Sequence, residues 1–225
     1  HDINIIKKIK KNIGGVSKLS SERLLDEFKK LTRSNAFLKI FNDEISLELI
    51  EIIFPQLKNL QSFKKLNSYA LDNLSKVDFI FLLSLLIIDG TDNTEYFFYK
   101  FNISKKDQKR LNNMNNFFND KITSSSFSER NLNKLFYYNG KQAVIDVLSY
   151  RLFVSKKIDK KLIALLEIFK SKIMPTLPIT AHTLMSEHNI PEGKTLGSKL
   201  KMIEEEWVDN NFELSSKQIN KIISR

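Results

Sequence analysis

The stretch Leu19–Leu57, LSSERLLDEFKKLTRSNAFLKIFNDEISLELIEIIFPQL, decides the fold class. Leu24, Phe28 and Leu31 recur at i, i+4 and i+7, and Leu25 widens the stripe. That is the spacing of one buried face of an α-helix. Ser20 or Ser21 stands where a side-chain oxygen can cap the first turn, and Glu22 falls within that turn, where negative charge is favourable. Ser46–Phe54 reads as a second helix, halted by Pro55, whose ring and missing N–H end a helical ladder.

The same reading extends outwards. Leu74–Asp89 is apolar on most sides and reads as one buried core helix, with Gly90 as its stop. Lys105–Asn119, Asn131–Tyr138 and Lys141–Val154 read as amphipathic helices, with Ser124-Ser125-Ser126 as a loop or cap between the first two. Lys160–Met174 is a further helix stopped by Pro175, and Pro175–Pro178 is the clearest break in the chain. Thr180–His188 and Thr195–Asn210 follow as short helices of a final compact piece, and Ser215–Ser224 closes it. No strand-period alternation and no internal repeat is visible. The expectation is an all-α chain of roughly ten helices.

Composition bounds the function. The 225 residues are 42% apolar, enough for real cores. Zero cysteines exclude disulfides and thiolate metal sites and fit a reducing compartment. No secretory signal opens the chain. The longest apolar run, Phe79–Ile88, is interrupted by Ser84 and is too short to span a bilayer. These features predict a soluble, cytoplasmic protein with no membrane partner. The net charge of +10 points to an anionic partner. The excess is spread evenly: +3 over residues 1–60, +4 over 61–155 and +3 over 156–225. That suits a long surface following an RNA backbone. Lys far outnumbers Arg, and Asn, Ile and Phe are abundant, so an AT-rich genome is the competing source of the charge.

Several motifs resemble those of the bacterial tRNA nucleotidyltransferase (CCA-adding) and poly(A) polymerase family, class II. Ser20, Glu22, Arg23, Glu27 and Lys29, followed by Phe54-Pro55-Gln56-Leu57, are similar to its neck. The apolar helix ending at Asp89, then FNISKKDQKRLNNM and LFYYNGKQAVIDVLSYR, is similar to its body. Pro178, Thr180-Ala181-His182-Thr183-Leu184-Met185, Pro191, Gly193-Lys194-Thr195-Leu196-Gly197 and Trp207 are similar to its tail. Ala181, Thr183 and Lys194 depart from the family, which usually has Gly, Asp and Pro there. The resemblance implies an elongated array of neck (1–57), body (58–155) and tail (156–225).

It also implies that the catalytic head would lie before residue 1. Metal-assisted nucleotidyl transfer needs two carboxylates close enough to share a divalent ion with a triphosphate. No Asp-x-Asp occurs here, and Asp89-Gly90-Thr91-Asp92 has the wrong spacing. No catalytic residue is therefore assigned, and the isolated chain is expected to be inactive. Mg²⁺ and CTP or ATP would belong to the head, leaving this chain with no cofactor.

The RNA-contact candidates are phosphate ligands. Lys7, Lys8, Lys10 and Lys11 cluster ahead of the first helix, and Lys105, Lys106, Lys109 and Arg110 cluster on another; a solvated face is the alternative for both. Arg23 either faces the head or pairs with Glu27 one turn later. Gly193, Lys194, Thr195 and Gly197 open a helix whose free N–H groups can hold a phosphate, with Lys199 adding charge. A turn whose glycines let the helix pack closely is the other reading. Leu196, Leu200, Ile203 and Trp207 form a helical stripe, which makes Trp207 a core residue rather than a stacking platform.

No metal site is assigned. His1-Asp2 has the form of the HD phosphohydrolase doublet, but that site needs more ligands, and only His182 and His188 remain. No Ser has a readable His partner for nucleophilic catalysis. The expected function is to grip the acceptor and T arms of tRNA, or another structured RNA, for a nucleotidyltransferase head in the same polypeptide. The alternatives are a stand-alone helical module binding RNA or protein and, within the family, a poly(A) polymerase.

Overall fold

A computed structural model describes residues 3–34, 37–120 and 122–224. The described residues are all-α, with no strand among them. The helices are α1 Ile3–Asn12, α2 Ser21–Thr32, α3 Phe37–Ile40, α4 Glu44–Ile53, α5 Ser68–Asn73, α6 Phe79–Ile87 and α7 Asn93–Phe101. They continue as α8 Lys105–Asn119, α9 Glu129–Asn139, α10 Lys141–Val154, α11 Lys160–Ser171, α12 Ala181–His188, α13 Lys194–Asp209 and α14 Ser216–Ile223. The chain forms two compact units, one of residues 3–120 with 146–163 and one of 122–145 with 164–224.

The first unit is built around α6. Every residue from Phe81 to Ile87 is buried, and the helix packs against α7 and α8. The expected single helix over Leu74–Asp89 is broken. Leu74–Lys76 is a 3₁₀ turn, Val77 and Asp78 are extended, and α6 begins at Phe79. The reason is the Asp78 side chain, whose Oδ1 accepts from Ile80 N at 2.9 Å and Phe81 N at 3.0 Å. Such a cap satisfies amides that a continuous helix would have bonded to its own carbonyls. α7, which the sequence reading passed over, buries Thr94, Phe97 and Phe101. Phe28 of α2 lies 5.0 Å from Phe54, Phe54 lies 5.8 Å from Phe101, and Phe101 lies 4.5 Å from Phe97. This chain of rings fastens α2 and the end of α4 to α7.

The second unit is organised by α13, which packs on α9, α12 and α14. Leu196, Ile203, Trp207 and Val208 are its buried face. Trp207 is 2% exposed and meets Tyr137 edge-on at 5.5 Å and Phe212 at 5.0 Å. The helical stripe therefore marks core, as its spacing predicts. Thr180 and Ser215 cap α12 and α14 through their hydroxyls. α11 ends at Ser171, three residues short of the expected Met174. Lys172 instead donates to Asn133 at 2.6 Å and sits over the Phe169 and Phe212 rings. The Lys172 N–H still bonds Ile168 O at 2.9 Å, and the helix ends there, within reach of the proline that disfavours helix in the residue before it.

Candidate nucleic-acid interface

The sequence of α1, INIIKKIKKN, carries four lysines and no acidic group. At 100° per residue, Lys7, Lys10 and Lys11 fall within a third of the helix circumference. Lys7, Lys8, Lys10 and Lys11 are all exposed. Lys10 pairs with Glu48 of α4 at 2.5 Å, which fixes the helix to its neighbour. Lys7, Lys8 and Lys11 have no ion-pair partner among the described residues, so their charge is available to an external anion.

α2 follows α1 in the chain and carries Arg23. Ser20 is its cap, accepting from Arg23 N at 3.3 Å. The Arg23 side chain is exposed and does not pair with Glu27. Glu27 pairs with Lys30 at 2.8 Å, and the Lys30 hydrogen bond and charge hold its carboxyl below the ordinary value. Arg23 is not within ion-pair distance of Glu27, although its charge also helps to lower that carboxyl.

On α8 the basic cluster divides. Lys105, Lys106 and Lys109 are exposed, whereas Arg110 is turned inwards with 21% of its side chain exposed. Its Nε donates to Asp146 Oδ2 at 2.7 Å and its Nη2 to Asp146 Oδ1 at 2.8 Å. Nη2 also pairs with Asp78 Oδ2 at 2.8 Å. Arg110 thereby ties the cap of α6 to α8 and to α10. A guanidinium already held in a bidentate fork and a second ion pair has little left for a phosphate. This corrects its expected role as an RNA ligand.

At the start of α13, Gly193 takes φ +142°, a backbone that glycine adopts freely. As N-cap it has no side chain to offer, so the first turn receives no side-chain cap. Lys194, Thr195 and Gly197 are exposed beside it. Lys199 is committed elsewhere, donating to Ile223 O at 2.5 Å and Ile222 O at 3.3 Å. It closes the carboxyl end of α14, where a cation complements unpaired carbonyls. Lys199 is therefore a corrected assignment as well, whereas Lys194, Thr195 and Gly197 stay exposed at a turn with no side-chain cap.

The His1-Asp2 doublet lies outside the described residues. Among the described residues no three His, Asp or Glu side chains are grouped so as to hold a metal ion. No helix among them is long and apolar enough to cross a membrane. The sequence reading missed Glu48, Asp78 and Asp146, the acidic partners that decide which cations remain available. Their separations of 38, 32 and 36 residues from Lys10 and Arg110 leave no local signal.

Residues 2–61 match the family model described as the probable RNA and SrmB-binding site of polymerase A. A search of curated proteins returns no match. The matched segment carries α1, α2 and α4, and so includes the unpaired lysines and Arg23. The match covers about a quarter of the chain and supports an RNA-binding helical module over that segment.

Proposed function

We propose that this chain is the RNA-holding part of a CCA-adding tRNA nucleotidyltransferase, with a poly(A) polymerase as the alternative within the family. It would work with a nucleotidyltransferase head of the same polypeptide, which would bind Mg²⁺ and CTP or ATP. The observation that carries the reading is the match of residues 2–61 to an RNA-binding family model, over a segment whose Lys7, Lys8, Lys11 and Arg23 are exposed and have no ion-pair partner among the described residues. The motifs of the body and tail, in family order along the rest of the chain, support the tRNA assignment. An A-form duplex conceals its base edges from side chains, so the grip on acceptor and T arms is through phosphates and shape. Exposed Lys105, Lys106, Lys109 and Lys194 extend the same chemistry along the chain. A protein partner on the same segment is the second reading. The family description names SrmB beside RNA, and Ile9, Leu19 and Ile52 are large apolar side chains left exposed there.

The double variant Lys7→Glu/Lys11→Glu tests the proposal by tRNA filter binding across a salt series. Each lost phosphate contact removes roughly 0.7–0.9 from the log–log salt slope, so the variant should flatten the slope by about 1.4–1.8 and bind more than tenfold more weakly at low salt. Unchanged affinity and slope would remove α1 from the interface. The pure wild-type chain, given tRNA, Mg²⁺ and labelled CTP or ATP, should show no incorporation.

A further inference from the structure

A second feature of the first unit points to recognition of a single nucleotide. Asn59, Phe63 and Lys65 after α4, Asp89 after α6, Phe118 of α8, and Tyr150, Phe153 and Lys156 at and after the end of α10 line a pocket of about 570 Å³. This lies within the roughly 300–1,000 Å³ of small-molecule sites. One of its lining residues, Asn59, belongs to the segment matched as RNA-binding.

Its chemistry runs from apolar floor to charged rim. Phe63, Tyr150 and Phe153 are buried, and Phe118 stands half-buried with its ring 4.4 Å from Tyr150. Phe118, the half-buried ring among these, suits a planar base, because every base has a π-face to stack. Lys65 and Lys156 are exposed and have no ion-pair partner among the described residues, which suits a phosphate. The Tyr150 hydroxyl reaches only Ile88 O, at 3.5 Å, longer than a good hydroxyl hydrogen bond. Burial, with the Asp89 charge adding to it, pushes this hydroxyl up to about 12, so it remains a donor at neutral pH. Asp89 receives Thr91 N and Oγ1 on Oδ1, at 3.0 and 2.7 Å, and its Oδ2 has no partner among the described residues. A carboxylate at a base edge accepts from an exocyclic amine.

We propose that this pocket takes one unpaired nucleotide of RNA, its base against Phe118 and Tyr150, its phosphate between Lys65 and Lys156, and its exocyclic amine on Asp89. The proposal deepens the RNA-binding reading and rests on it. Adenine and cytosine carry the amine and uracil does not, so uracil is the poorest occupant.

The test is ultraviolet crosslinking of six-residue adenine, cytosine and uracil RNAs to the full chain, with peptide mapping by mass spectrometry and affinity by anisotropy. Adenine and cytosine hexamers should crosslink in the Phe118 or Tyr150 peptides and bind at least fivefold more tightly than uracil hexamer. Lys65→Glu/Lys156→Glu alters exposed side chains only and should weaken adenine hexamer at least tenfold with an unchanged melting temperature. Crosslinks confined to α1 and α2, or wild-type affinity of that variant, would overturn the pocket while leaving the α1 reading intact. If Lys7→Glu/Lys11→Glu leaves both tRNA affinity and pocket crosslinks unchanged, the α1 reading fails and the pocket stands. AMP competing as well as the hexamer, at equal concentration, would assign the pocket to free nucleotide and overturn its RNA occupant.

Discussion

Replacing Arg110 with methionine separates a structural cation from an RNA ligand. The change keeps much of the stem and removes the guanidinium. Asp146, 2% exposed, then loses a bidentate partner, whereas Asp78, 55% exposed, keeps water and its two α6 amides. Removing one partner of a fully buried pair costs about 3–5 kcal/mol, chiefly through the stranded charge. Arg110 is itself a fifth exposed and water can reach the edge of the site, so the lower end, about 3 kcal/mol, is expected. At roughly 2–4 °C per kcal/mol for a chain of this size, melting should fall by about 6–12 °C. Far-UV circular dichroism follows the loss of helix. Fluorescence of Trp207, the single tryptophan, follows the second unit and should shift less. Compared at a temperature where the variant is folded, tRNA affinity and its salt slope should equal those of wild type. A variant that melts like wild type but binds RNA with a flatter salt slope would refute the reasoning and return Arg110 to the interface.

Lys199→Met should destabilise α14 by about 1 kcal/mol, the scale of one cation at a helix carboxyl end, without altering the salt slope of RNA binding. Hydrogen exchange of the Ser216–Ile223 amides would register it. Trp207→Ala opens the ring cluster with Tyr137 and Phe212 and should cost about 3–5 kcal/mol, read by urea unfolding followed by circular dichroism. A folded Trp207→Ala chain that had lost only RNA binding would instead make the ring a contact. Acid should unfasten the start of α6. Burial works to raise the Asp78 carboxyl, but the Arg110 hydrogen bond and charge, with the Phe81 and Ile80 amides, outweigh it and hold the carboxyl below its ordinary 3.8. The stability this gives is complete above that ordinary value and is lost as pH falls through the lowered one. In Asp78→Asn the fall in melting temperature on acidification below pH 3.8 should be shallower than in wild type.

The sequence by itself determined the helices that rest on neighbours three or four residues apart. The Ser20 cap, the halt at Pro55, the buried stripe through Leu196, Ile203 and Trp207 and the Thr180 and Ser215 caps are all local in this sense. The lysine cluster at Lys7–Lys11 was equally legible as a run of charge, but that it stands on a helix, α1, was not read from the sequence. Tertiary structure alone decided which other cations are available. Arg110 and Lys109 are adjacent in the chain, yet one meets Asp146 across 36 residues and the other meets solvent. Lys199 looked like a phosphate ligand until Ile223, 24 residues on, brought its carbonyl to it. The same holds for the break before α6. Capping by Asp78 could have been weighed from the sequence, but the Arg110 pair on its other oxygen could not. The proposed nucleotide pocket draws its walls from four separated segments that no periodicity connects. Helical periodicity and capping act along a few residues of chain, whereas charge pairing and cavity shape depend on distances through space, which packing of the whole unit sets.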